Sequence, residues 1–221
     1  KDEKVRLVLS GVDIHHADGA ALHIVEADKV TMTLADGTTN VLSDTANYKF
    51  PDAADDEPDA TLFSRADLVI NGTGTLKVSA NYNNGIASKD DLRIVSGTIE
   101  VEAVDDALVG KDIVAVRDGT IRLFAGGDAI KSTNEKDEGR GNIVIEGGVY
   151  EIRAGGDGLQ SAVGIAVTGG DFTIVTGGGS ANGRTHVESR GRPGSASRPQ
   201  TADPPSMKAL KAEGEIAIYG G

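Results

Sequence analysis

Apolar residues fall at every second position in five six-residue segments, 75–80, 98–103, 120–125, 149–154 and 171–176. Alternation at period two marks a strand with one buried face. Laid over one another, the segments give two inward columns, Leu76, Ile99, Ile121, Tyr150, Phe172 and Val78, Val101, Leu123, Ile152, Ile174. The outward column between them reads Lys77, Glu100, Arg122, Glu151, so its charge changes sign at each step. Parallel neighbours about 4.8 Å apart attract in that arrangement, whereas like charges would repel. The charge alternation therefore predicts in-register parallel stacking independently of the apolar columns.

Two shorter strands are predicted in each repeat. The first (68–70, 92–94, 113–116, 143–145 and 165–167) runs into a turn ending in Gly72, Gly97, Gly119, Gly148 or Gly170, where glycine tolerates positive φ. The second (86–88, 108–110, 130–132 and 159–161) follows an acidic corner. That corner recurs at Asn84, Asp106 and Asp128 with a spacing of 22 residues, then at Asp157 after 29, one repeat plus a seven-residue insertion. Three strands and three corners in this length predict an all-β fold, a parallel β-helix of triangular section. The chirality of parallel crossovers makes it right-handed.

The pattern covers 1–221 as a single domain. Looser coils open at 5–9 and 30–34, with third strands at 22–24 and 62–63. An acidic insertion, 43–59, carries Asp52, Asp55, Asp56, Glu57 and Asp59, and a second insertion spans 133–141. Residues 180–207 are rich in Arg, Ser, Gly and Pro without an apolar period, which predicts a disordered loop. The strand pattern resumes at 209–211 and 216–218. A strand that starts at Val5 without a cap, and a half-finished coil at Tyr219, predict a fragment of a longer precursor.

Composition narrows the chemistry. The net charge of −12 disfavours nucleic acid and anionic membrane surfaces. The absence of cysteine excludes disulfides and thiolate-bound metal. No apolar run approaches a membrane span, so no direct membrane insertion is expected. Of the histidines, His23 and His186 have no ligand spacing, and only Asp13 with His15 and His16 could gather on a transition metal.

In register, Asn84, Asp105, Asp106, Asp128 and Asp157 stack on one edge, where Asp56 and Asp59 of the insertion also arrive. Asp and Asn suit turns, which alone accounts for any one of them. Carboxylates stacked within about 5 Å either raise one another's pKa or take up a cation. An irregular all-oxygen corner favours Ca2+ over Mg2+. Lys89, Lys111 and Lys131 lie beside the edge. They either neutralise the carboxylates or, desolvated near calcium, supply a base, for which Lys131 is best placed. For sugars, Tyr82 and Phe124 are the aromatics expected at the surface. Lys77, Arg122 and Lys131, with Glu100 and Glu151, are expected to hydrogen-bond hydroxyls.

Three segments taken together, Asn83-Asn84-Gly85-Ile86-Ala87-Ser88-Lys89-Asp90-Asp91-Leu92, Gly127-Asp128-Ala129-Ile130-Lys131-Ser132-Thr133-Asn134 and Thr176-Gly177-Gly178-Gly179-Ser180-Ala181-Asn182, resemble a family of secreted bacterial carbohydrate-binding β-helix proteins with a pectate-lyase-like fold. The resemblance runs from about Lys4 to Asn182 and resumes near Lys208. It implies bound calcium, an extracellular or cell-surface location, and attachment to plant cell-wall polysaccharide, cellulose or pectin, by a monomer without catalysis. Two alternatives stay open: a calcium-dependent lyase that uses Lys131 to remove the proton α to a uronate carboxylate, and a structural or adhesive surface repeat. The chain departs from the pattern at Ala107 and Ala129, where the resemblance implies glycine, and positive φ is expected to be lost at those corners.

Overall fold

The computed structural model describes residues 3–52, 55–179 and 206–220. Among them are 22 strands and no helix, in three parallel sheets of eight, seven and seven strands, about seven turns of a β-solenoid. Strands follow the chain from first face to second to third and back, so each strand pairs with the one three later.

One apolar column runs the length of each face. On the first, Val5, Val30, Leu68, Leu92, Val114, Ile143, Ile165 and Ile216 are consecutive partners. On the second, the column is Ile14, Leu42, Val78, Val101, Leu123, Ile152 and Ile174. On the third it is Leu22, Leu62, Ile86, Leu108, Ile130, Leu159 and Leu210. The three columns meet in one core, which Ile216 at the end of the first column, being exposed, does not join. Burying each side chain fully contributes about 1.5–3 kcal/mol, and the contribution repeats at every coil. Tyr150 and Phe172 continue the second face's other column as stacked rings 4.4 Å apart.

The long strands of the second face, Thr75–Ala80, Thr98–Ala103, Thr120–Ala125, Val149–Ala154 and Asp171–Thr176, match the sequence expectation residue for residue. Two earlier strands on that face, Asp13–His15 and Thr39–Ser43, are new. Their pattern is weak because Asn40 stands opposite Leu76, in an inward position. Its buried amide accepts the Gly11 and Val12 N–H groups at 2.9 and 3.1 Å and donates to the Thr75 carbonyl at 3.1 Å. A polar residue is tolerated there because its hydrogen bonds are made.

Of the 43–59 insertion, the described residues pack along the corner between the second and third faces. Glu57 pairs with Arg65 and Lys89 and covers the region around buried Phe63. Residues 180–205 of the Arg-rich segment lie outside the described residues. The 133–141 insertion follows Ile130–Ser132 in the chain and leads into Asn142–Ile145, and Ile130–Ser132 still pairs in register with Leu159–Ser161.

The expectation about Ala107 and Ala129 is corrected. The turn glycines do take positive φ, from 103° at Gly72 to 135° at Gly119, but Gly85 and Gly158 at the acidic corner do not. A Cβ on Gly85 would run into Val101 Cγ1 and the Ala107 carbonyl, so glycine answers to space there. Ala107 and Ala129 fill the same corner with buried methyls. Gly85→Ala should therefore destabilise by about 1–3 kcal/mol through overpacking. Ala107→Gly should also destabilise, by about 1 kcal/mol, rather than relieve strain. Denaturant unfolding of both variants checks this, and a stabilising Ala107→Gly would contradict it.

Candidate functional site

The acidic corner is a ladder of side-chain acceptors. Asn84 Oδ1 accepts the Asp106 N–H at 3.1 Å, Asp106 Oδ1 accepts the Asp128 N–H at 2.7 Å, and Asp128 Oδ1 accepts the Asp157 N–H at 2.7 Å. Asp157 Oδ1 then accepts the Lys208 N–H at 2.7 Å. Each coil's corner amide, which the strand ladder leaves free, is satisfied by the coil before it. The residues are buried accordingly, with Asp106 5%, Asp128 8% and Asp157 1% exposed.

The second oxygens meet lysine. Lys131 Nζ lies 2.9 Å from Asp106 Oδ2 and 3.1 Å from Asp128 Oδ2. Burial works to lower the Lys131 pKa, but the two carboxylates outweigh it and hold the ammonium above the usual lysine range. Burial pushes the Asp106 carboxyl above the usual carboxylate range, and Lys131 offsets only part of that. Two coils beyond Lys131, Lys211 Nζ is 3.8 Å from Asp157 Oδ2, an oxygen with no hydrogen-bond partner.

The residues expected to bind metal therefore divide. Asn84, Asp105, Asp106 and Asp59 line one cavity of about 260 Å³ with Lys89, Lys111 and Lys131. Asp128 and Asp157 do not line it. Asp56 is exposed on the insertion and reaches the edge only as a distant charge on Asp59 and Lys89. Asp59 Oδ1 is buried without a hydrogen-bond partner. Burial raises the Asp59 pKa while Lys89 opposes the shift. An orphaned carboxylate oxygen with amide and carboxylate oxygens around it is the donor chemistry of a hard cation.

A second acidic group was not anticipated. Asp67, Asp90 and Asp91 bring carboxylate oxygens within 4.8 Å of one another at the corner between the third and first faces. The Asp90-Asp91 doublet is visible in the sequence, but Asp67 joins it only through the register of the first face. Burial and a hydrogen bond with Asp112 raise the Asp90 pKa to about 6. Asp112 is held below the usual range, because Asn134, Asp90 and Arg140 together outweigh its desolvation. The two carboxyls are thus pushed in opposite directions, Asp90 up and Asp112 down. Asp13, His15 and His16 form no such group among the described residues, and His15 Nδ1 instead meets Ser43 Oγ at 3.0 Å.

Lys77 and Arg122 stand on the outer side of the second face, in a groove of about 340 Å³ lined also by Ser79, Glu100, Glu102 and Phe124. Glu100 accepts from Lys77 at 2.8 Å and from Arg122 at 2.9 Å, and Arg122 reaches Glu151 at 4.0 Å. The hydrogen bond from Lys77, ahead of that from Arg122, holds the Glu100 carboxyl below its usual range. Phe124 carries the Arg153 guanidinium 5.6 Å above its ring and also lines an adjoining cavity of about 590 Å³, so the groove continues across coils. Tyr82, expected at the surface, is half-buried. It stacks on Tyr48 at 4.1 Å and meets Phe50 edge-on at 6.1 Å. Both partners come from the 43–59 insertion, whose contacts no periodicity reports.

A family model described as carbohydrate-binding domain-containing protein matches residues 1–221. The chain belongs to this family. A family member from Acetivibrio thermocellus, also described as a carbohydrate-binding domain-containing protein, is 46% identical over 103 residues, 47% of this chain and 36% of that protein. The match thus spans little more than a third of the relative's length. Among solved structures, the polysaccharide lyase-like protein from C. thermocellum, as a gadolinium derivative, is similar with a TM-score of 0.84 and 34% identity. The similarity covers 98% of this chain and 76% of that one. The carbohydrate-binding family and the lyase-like β-helix thus meet in one chain.

The raised Asp90 pKa gives a pH dependence with a definite sign. Asp90 binds its proton more tightly folded than unfolded, its pKa being raised to about 6. Its contribution to stability is therefore present at low pH and is lost as pH rises from about 4 through 6. Asp90→Asn should flatten the fall in melting temperature across that window. Melts of both proteins at several pH values check this, and parallel curves would contradict it.

Proposed function

We propose that this chain binds plant cell-wall polysaccharide without cleaving it, and that calcium supports the binding. The observation that carries this reading is the Lys131 ammonium held between Asp106 and Asp128. A lyase needs a neutral amine to remove a proton, and a lysine clamped by two carboxylates keeps its own. The groove beside Lys77, Arg122 and Phe124 offers what a binder needs, charged hydrogen-bonding groups around an apolar ring. Cellulose and pectin present different chemistry to it. A neutral glucan meets no electrostatic barrier, whereas a polyuronate is repelled by a chain of charge −12.

Calcium is the proposed answer to that repulsion. Asp59, Asn84, Asp105 and Asp106 are the residues that would hold it, and it would supply positive charge facing a uronate carboxylate. Such a polymer lies outside the cell that binds it, so the proposed location is extracellular or at the cell surface.

Pull-downs on cellulose and on polygalacturonate, with and without chelator, test the reading, together with an ultraviolet assay for unsaturated uronate. Cellulose binding should survive chelation, polygalacturonate binding should be lost, and no unsaturated product should form. Release of unsaturated uronate would overturn the non-catalytic reading in favour of a lyase. Binding to neither polymer would favour a structural repeat.

A further inference from the structure

We propose a separate binding site for a single neutral pyranose ring, in the cavity where the 43–59 insertion meets the first coils, with Tyr48 and Phe50 as its walls. The proposal rests on the carbohydrate-binding reading and adds a second place and a sugar class to it. The cavity measures about 260 Å³. That is near the lower end of the roughly 300–1,000 Å³ of small-molecule sites and suits one ring rather than a length of chain.

Its walls have the two properties sugar recognition requires. A pyranose has apolar C–H faces that pack on aromatic rings and a rim of hydroxyls that need donors and acceptors. Tyr48 and Phe50 both line the cavity, with ring centroids 6.1 Å apart and planes at 51°. Asp18, Lys49, Glu57 and Arg65 supply the polar groups. Both cations are paired, Lys49 with Asp18 at 2.6 Å and Arg65 with Glu57 at 3.1 Å, and Asp55 adds a third carboxylate to the lining. Paired cations and a surplus carboxylate offer hydrogen bonds but repel an anion, which favours a neutral sugar over a uronate.

The aromatic wall is also set in place before any ligand arrives. Tyr82 stacks against Tyr48 but does not line the cavity. The Tyr48 hydroxyl donates to the buried Asp44 at 2.6 Å. Asp44 in turn accepts from the Thr61 hydroxyl at 2.8 Å and the Asn81 N–H at 2.5 Å. Hydrogen bonding to Asp44, added to burial, holds the Tyr48 hydroxyl protonated well above its usual pKa. A ring fixed by a buried acceptor on one side and a stacked ring on another loses little freedom on binding. Phe50 has no comparable anchor and is only half-buried, so its ring is free to serve a ligand.

Calorimetric titration of the whole chain with cellohexaose and with polygalacturonate tests the site. Tyrosine fluorescence gives a second readout, since the chain has four tyrosines and no tryptophan. Cellohexaose should bind with and without chelator and change the tyrosine emission. Phe50→Leu, which keeps an apolar side chain but no ring, should weaken it about tenfold and leave polygalacturonate binding unchanged. Lys49→Met, an exposed change that spares the aromatic cluster, should weaken it severalfold without altering the melting temperature. Cellohexaose affinity unchanged in both variants would overturn the site while leaving the carbohydrate reading intact. So would binding of polygalacturonate but not cellohexaose. If the wild-type protein binds neither, the carbohydrate reading itself falls, and this site with it.

Discussion

The structure depends on each coil presenting an oxygen to the corner amide of the next. Strand pairing satisfies the faces of a β-solenoid by itself, but at a corner the backbone turns and an N–H is left over. The side chains of Asn84, Asp106, Asp128 and Asp157 accept those amides in succession. The acceptor must arrive at the same height in every coil, which is why the corner keeps its spacing while insertions are pushed outward. The 133–141 segment lengthens one coil, yet Ile130–Ser132 and Leu159–Ser161 pair without a slip.

The same device creates the electrostatic problem that shapes the surface. A ladder of carboxylates concentrates negative charge along a buried edge, and the chain relieves it in several ways. Lys131 bridges Asp106 and Asp128. At another corner, Arg140 reaches Asp90 at 3.9 Å. On the second face, alternating Lys77, Glu100, Arg122 and Glu151 settle opposite charges on neighbouring strands, as cross-strand pairing favours. At Asp59, burial leaves a carboxylate oxygen without a partner. The proposed cation belongs at that point of incomplete relief.

How much of this could be read in the sequence follows from how local each signal is. The apolar columns, the charge alternation and the turn glycines repeat with the coil, so one residue predicts its neighbours in the stack. The first two second-face strands lacked that signal because Asn40 takes an inward position on the strength of four-way hydrogen bonding. The corner at Ala107 and Ala129 was misread because a glycine kept for space, as at Gly85, looks like one kept for φ. The division of the acidic edge was also hidden, since it depends on which oxygen caps an amide and which meets a lysine. Tyr48 and Phe50 reach Tyr82 only through the path of the insertion, which no periodicity reports.

The most direct measurement compares the stability of Asp128→Ala and Asp128→Asn by denaturant unfolding, in chelator and in calcium. Asparagine keeps an acceptor for the Asp157 N–H, whereas alanine leaves a buried amide unpaired, a loss of about 1–3 kcal/mol. The acceptor ladder predicts that Asp128→Asn stays close to wild type while Asp128→Ala loses most of that amount, in either solution. Equal losses in the two variants would contradict it, because the charge of Asp128, and not its place in the ladder, would then be holding the edge.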